Sequence, residues 1–250
     1  MMRHSLRHPY GETRNAEDER RSFVALAIFA LSVPSLANGF YNPVLAQSAV
    51  LYWTAEFFTW IAWPTVWFLV LYRRGLTLAD LGLTLPSPIY RGLLPFMGVT
   101  LLLFPLSFVF YGLIGYVAQI MISDNWLDQG FRYPSQIPAD GTWRVIGAIY
   151  LAATAGVVEE IVFRALPRLL ADNSWISSFF YVLSSSVLFA CVHWENGQIA
   201  LVETFFWGMS MAGLFLATRS LWPGIIIHFL TDFVIFYYDF SVLGWLMKAL

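Results

Sequence analysis

The sequence predicts an all-α fold, a polytopic transmembrane bundle of about seven membrane-spanning helices, on three observations. Hydrophobic residues make up 58% of the 250, charged residues only 12%, and the mean hydropathy is +0.64, far from a soluble domain. The apolar residues are gathered into runs near the 20 or so that a membrane helix needs. The 11 Trp, 12 Tyr and 22 Phe suit interfacial aromatic belts and a lipid-facing surface.

Residues 1–22 carry both signs of charge and read as a solvated cytoplasmic tail with no fold assigned. Phe23 to about Phe40 is the first apolar segment. Ser35-Leu36-Ala37 after the Arg20-Arg21 flank imitates a cleavage site, but the segment is taken as an uncleaved anchor. Val50 to Tyr72 is long enough to span and stops at Arg73-Arg74. Residues 73–91 form a polar elbow containing Pro86 and Pro88. Gly92 to Ile122 exceeds one membrane thickness, so it must tilt, kink at Pro95 or Pro105, or extend beyond the bilayer. After a polar loop at 123–142 come the runs Trp143 to Leu170, Trp175 to His193, Ile199 to Thr218 and Leu221 to Phe240. The chain divides into the tail at 1–22, N-terminal transmembrane helices at 23–142 and a core at 143–250 that carries the chemistry.

With the N-terminus cytoplasmic, 11 of the 14 basic residues fall inside and Arg132, Arg144 and Lys248 outside, which is the expected bias of short cytoplasmic loops. The net charge of −2 selects no partner. A lone cysteine, Cys191, excludes an internal disulfide. Nothing resembles a repeat or a basic groove with interleaved aromatics, so no nucleic acid is expected. The bilayer is the partner that this composition implies.

Ionisable side chains within apolar spans are costly and mark polar cavities. Glu159 and Glu160 follow the uncharged run Ile146 to Val158, and about 100° of helical rotation between neighbours gives them different surroundings. Glu160 and Arg164 are spaced i, i+4 with the acid first, the orientation that favours an ion pair. Glu159 is then the freer carboxylate and the candidate general base. His193 ends Phe189-Ala190-Cys191-Val192-His193. In an ideal hairpin turning near Asn173 it lies about 9 Å from Glu159 in height, a gap that tilt must close. His228 and Asp232 share one face of the last helix, where a ring-to-Asp232 hydrogen bond would fix the tautomer and leave the other nitrogen for an oxyanion or a metal. An ideal hairpin leaves His228 well below His193, so the last helices must tilt or break. Glu56 reads as a structural acid, Glu195 and Asn196 as a solvated loop, and Glu203 and Asp239 as cavity-lining or capping groups.

Taken in order, EExxxR at 159–164, FxxxH at 189–193 and HxxxD at 228–232 resemble the CAAX protease and bacteriocin-processing (CPBP, or Abi) family of intramembrane proteases. The likeness covers about residues 143–240, and Ser220-Leu221-Trp222-Pro223-Gly224 and the elbow Leu78-Ala79-Asp80-Leu81-Gly82-Leu83 are also similar. The resemblance implies an integral protein, in a bacterial plasma membrane, that hydrolyses a peptide bond of a membrane-embedded or lipid-anchored substrate with water activated by Glu159 and His193. Glu160, Arg164, His228 and Asp232 complete the implied catalytic set, His228 and Asp232 standing where eukaryotic members stabilise the oxyanion. Asp232 replaces their Asn and cannot donate a hydrogen bond unless protonated. A metal-free reaction without cofactor is preferred. Zinc held by Glu159, His193 and His228 is the alternative, since the chain lacks HExxH. The competing classes are a proton-coupled transporter and a non-catalytic scaffold.

Overall fold

A computed structural model describes residues 9–84, 89–122 and 131–238 of the chain, so Pro86, Pro88, Asp239 and Lys248 lie outside the described residues. The protein is a helical bundle. The helices are α1 (Pro9–Leu45), α2 (Ala49–Arg73), α3 (Ile89–Met121), α4 (Gly141–Arg168), α5 (Trp175–Cys191), α6 (Gln198–Thr218) and α7 (Trp222–Tyr238). Five contain segments long and apolar enough to cross a bilayer, while α5 and α7 are apolar helices of 17 residues. Apolar side chains such as Leu101, Leu102, Leu106 and Phe180 are exposed, as a lipid-facing surface requires.

The first helix departs from expectation. Residues 9–22, read as a tail without fold, continue α1 towards its N-terminus, and the apolar stretch of α1 runs Glu17–Leu45. The acids and arginines of this segment are compatible with a helix that projects beyond the apolar layer. Within this segment Arg20 pairs with Asp80 of the elbow at 3.2 Å. The third segment resolves as a single helix of 33 residues, about 50 Å at 1.5 Å per residue, longer than the roughly 30 Å hydrocarbon core, so it must tilt across that layer or project past it.

Two prolines shape the helices that matter. Pro167 has no N–H for the carbonyl of Phe163, and the preceding residues Ile161–Ala165 relax into a π turn. The freed Phe163 carbonyl accepts from the Ser185 hydroxyl, and that of Arg164 accepts from Tyr181 at 3.2 Å. Pro64 follows a second π turn, Phe58–Ala62, in α2 in the same way. Pro167 thus both opens the α4 ladder and docks it on α5.

Glycines set the helix spacing around the site. A Cβ at Gly156 would meet the Phe229 amide nitrogen at 3.2 Å and the Ile225 carbonyl oxygen at 3.3 Å, so α4 and α7 approach backbone to backbone. A Cβ at Gly208 would meet Phe189 and Ser186 at 3.3 Å, joining α6 to α5. Membrane helices gain no hydrophobic burial against lipid tails, so such close contact supplies the packing.

The elbow after α2 holds the start of α7. Leu221 N–H donates to the Gly82 carbonyl at 2.9 Å and the Trp222 indole donates to Leu83 at 3.0 Å. Gly82 sits at φ +69° against Phe215, where a side chain is both strained and crowded. Asp80 closes the elbow by accepting from the Thr77 amide and hydroxyl, each at 2.8 Å. Burial opposes its charge, but the Thr77 donors and the Arg20 guanidinium outweigh it and hold the carboxyl below its ordinary value.

Candidate active site

All six residues singled out from the sequence gather inside the bundle, on α4, α7 and the turn after α5. Glu159, Glu160, Arg164 and His228 are buried, and the side chains of Asp232 and His193 are 18% and 21% exposed. A cavity of about 130 Å³ lies against Glu159, His193, His228 and Asp232 and extends to Tyr133 and Phe236.

The two adjacent glutamates converge on one imidazole from opposite sides. His228 Nδ1 lies 3.0 Å from Glu160 Oε1, and since a carboxylate only accepts, this nitrogen carries the proton. The other nitrogen, Nε2, is 3.7 Å from Glu159 Oε2 and 3.4 Å from Asp232 Oδ2. The expected tautomer-fixing bond to Asp232 is therefore corrected: Glu160 does that work, because the Gly156 contact brings α4 closer to the ring than the next turn of α7 can reach. A Cβ at Gly224 would stand 2.7 Å from Glu160 Oε2, so that glycine leaves room for the carboxylate.

Glu160 also pairs with Arg164, Nε to Oε2 3.6 Å, with both side chains at most 1% exposed. The guanidinium carbon lies 3.9 Å from the Phe189 ring centroid and 5.7 Å from that of Trp207, a cation on aromatic faces. Trp207 in turn packs edge-on to His228 at 4.7 Å between centroids and is anchored by its indole to Ser107 of α3 at 3.0 Å. A charge so enclosed is tolerated because an acid and two ring faces surround it.

His193 lies beyond the helix, on the turn after Cys191, at φ −104° and ψ 12°. The ideal-helix offset of about 9 Å therefore does not persist, since that figure assumed a straight hairpin. Its Nδ1–H donates to the Phe189 carbonyl at 2.7 Å, leaving the Nε2 lone pair to face Glu159 Oε2 at 3.8 Å. Phe189 thus both orients His193 and covers Arg164.

Glu159 Oε2 is buried with no hydrogen-bond partner, although two imidazole nitrogens stand within 3.8 Å of it. Those separations exceed a hydrogen bond but admit one small polar molecule touching all three atoms. Zinc fits less well. Its bonds of about 2.0–2.1 Å hold tetrahedral donors about 3.3 Å apart, closer than these donors lie. Among the described residues, no trio of His, Cys, Asp or Glu is placed to hold a metal ion.

The sequence reading missed the other end of the cavity. Glu195, read there as solvated, is only 7% exposed, and its Oε1 accepts from Asn38 at 2.6 Å and Tyr133 at 2.9 Å. Asn42 adds a bond to the Tyr133 hydroxyl at 3.2 Å. Glu56 is buried and lines the same cavity. Asn38 and Asn42, i, i+4 in an otherwise apolar helix, were the available signal.

Comparison with known proteins gives one match: residues 141–234 fit the family model described as Type II CAAX prenyl endopeptidase Rce1-like. Neither the curated proteins nor the solved structures contain a match to the chain.

Proposed function

We propose, from the match of residues 141–234 to the Rce1-like type II CAAX prenyl endopeptidase model, that the chain is a glutamate-type intramembrane endopeptidase acting on a lipid-anchored or membrane-spanning peptide. The observation that carries the mechanism is Glu159 Oε2, unpartnered and 3.8 and 3.7 Å from the His193 and His228 Nε2 atoms, so that a water beside the three atoms can bridge them.

In this reading a water bound among the three atoms gives its proton to Glu159 as its oxygen attacks the scissile carbonyl carbon. His193, with its Nδ1 proton committed to Phe189, accepts a hydrogen bond from that water and aligns the lone pair that attacks. The carbonyl oxygen becomes an oxyanion. His228, protonated on both nitrogens and held by Glu160, donates from Nε2 to it. Collapse breaks the C–N bond, and Glu159 returns its proton to the leaving amine. Arg164 balances the Glu160 charge, and Asp232 supports the charged ring of His228. The ring and carboxylate dipoles are in place before substrate enters, which is where most of the rate gain in such sites arises.

The test is hydrolysis of a fluorogenic, lipid-anchored peptide by purified protein in detergent, without a proton gradient and after chelation. Cleavage should persist, while Glu159→Gln and His193→Ala each lower kcat by about 10²–10⁴-fold with unchanged thermal unfolding. Normal cleavage by either variant defeats the assignment. Loss on chelation that zinc restores would replace the metal-free mechanism, and dependence on a gradient would favour a transporter.

A further inference from the structure

The cavity has a second polar end that the reaction leaves unused. Asn38, Glu56 and Glu195 reach it from α1, α2 and the turn after α5, and each is at most 7% exposed. Their side chains leave three buried acceptors without partners: Asn38 Oδ1, Glu56 Oε2 and Glu195 Oε2. Asn38 Nδ2 and the Tyr133 hydroxyl both serve Glu195 Oε1, and the Tyr52 hydroxyl beside Glu56 has one proton to give, so these donors cannot satisfy all three acceptors.

Glu56 and Glu195 line the same cavity, and among the described residues neither forms an ion pair with a basic side chain. Buried carboxylates so placed are expensive unless something supplies donors and positive charge. Asn38 is the independent indication, because its buried Oδ1 lies on the cavity with no protein donor, and a donor group of a ligand would satisfy it. An alkylammonium or guanidinium brings several N–H donors and one charge on an apolar stem, and Leu151, Phe236 and Ile235 line the same cavity.

We propose that Asn38, Glu56 and Glu195 form a cation subsite of the peptide-binding cavity, which receives an ammonium or guanidinium group of the substrate while the scissile bond lies at Glu159. This rests on the endopeptidase reading and adds to it a substrate feature: a basic side chain, or a free N-terminal amine, at a fixed distance from the cleaved bond. Glu56 and Glu195 are then specificity-determining residues.

The test measures binding, so that it does not depend on turnover. Full-length Glu159→Gln protein in detergent is titrated with fluorescein-labelled, palmitoylated peptides of one neutral sequence. A lysine or its uncharged isostere norleucine is scanned through each position, with the N-terminus free or acetylated. At one position lysine should bind about tenfold or more tighter than norleucine, the scale of a charged hydrogen bond. Adding Glu195→Gln should reduce that preference below about twofold with the norleucine peptide unaffected, since Gln can still accept from Asn38 and Tyr133 and keep the fold. Glu56→Gln gives a second reading should the first variant unfold. A preference confined to the free N-terminus assigns the subsite to the α-ammonium. Peptides that bind without any cation preference, or a preference that survives both variants, overturn the subsite alone. If no peptide binds, the endopeptidase reading falls with it.

Discussion

Replacing Gly156 by Ala tests whether the approach of α4 to α7 sets the catalytic geometry. The new Cβ would meet Phe229 N at 3.2 Å, Ile225 O at 3.3 Å and Phe229 Cα at 3.5 Å, all backbone atoms that cannot rotate away. Relief therefore requires the helices to part by about 0.3 Å, with an overpacking cost of about 1–3 kcal/mol. Glu159 lies one helical turn after Gly156, and His228 lies between the two residues contacted, so the parting lengthens the 3.7 Å and 3.0 Å separations from His228 to Glu159 and Glu160. A misplacement of about 1 Å costs about 10²-fold, so 0.3 Å should lower kcat by about fourfold. Gly213→Ala is the control, because its Cβ meets nothing within 4 Å. Thermal unfolding and peptide hydrolysis in detergent are measured for both. If Gly156→Ala is as active as the wild type and no less stable, the close approach does not govern the site.

Arg164→Ala should destabilise the protein by about 3–5 kcal/mol by leaving the buried Glu160 with His228 alone and opening a cavity against Phe189, and Arg164→Met with Glu160→Gln should recover much of the unfolding temperature without activity; an Arg164→Ala protein as stable as wild type contradicts this. Asp232→Asn should keep kcat within about fivefold, because the amide can itself donate to an oxyanion, whereas a loss of about 10²-fold in steady-state hydrolysis would make the carboxylate a reacting group. The elbow should respond to acid. Asp80 ionises more readily in the folded protein, so its contribution is full above the ordinary carboxylate range and is lost as pH falls through the folded value; Asp80→Asn should flatten the fall in elbow protection from proteolysis below about pH 4, and an unchanged profile would assign it elsewhere.

Much of the molecule was legible because lipid imposes a strong pattern. Apolar runs separated by charged elbows marked the helices, while the helical continuation of α1 to Pro9 went unread, since a charged helical segment has no hydropathy signal. Within the site, the i, i+4 spacing of Glu160 and Arg164 foretold their pairing because it lies within one helix. The partner of His228 did not follow from spacing. Asp232 is four residues away in the chain, but helix contact at Gly156 and Gly224 brings Glu160 nearer, and such contacts depend on three-dimensional register. Glu195 was misjudged for a related reason: a short turn between apolar helices reads as exposed, yet this one folds beneath the end of α1, where Asn38 lies about 10 Å before Leu45.

The central claim is that one solvent molecule sits among Glu159, His193 and His228. The most direct measurement is an experimental density map of the protein in lipid, at a resolution that shows ordered solvent, collected with anomalous scattering at the zinc edge. A single peak without anomalous signal, about 2.6–3.2 Å from Glu159 Oε2 and both imidazole Nε2 atoms, is the expected result. An anomalous peak about 2.0–2.1 Å from them, or the three side chains too far apart for one water to touch, would contradict it.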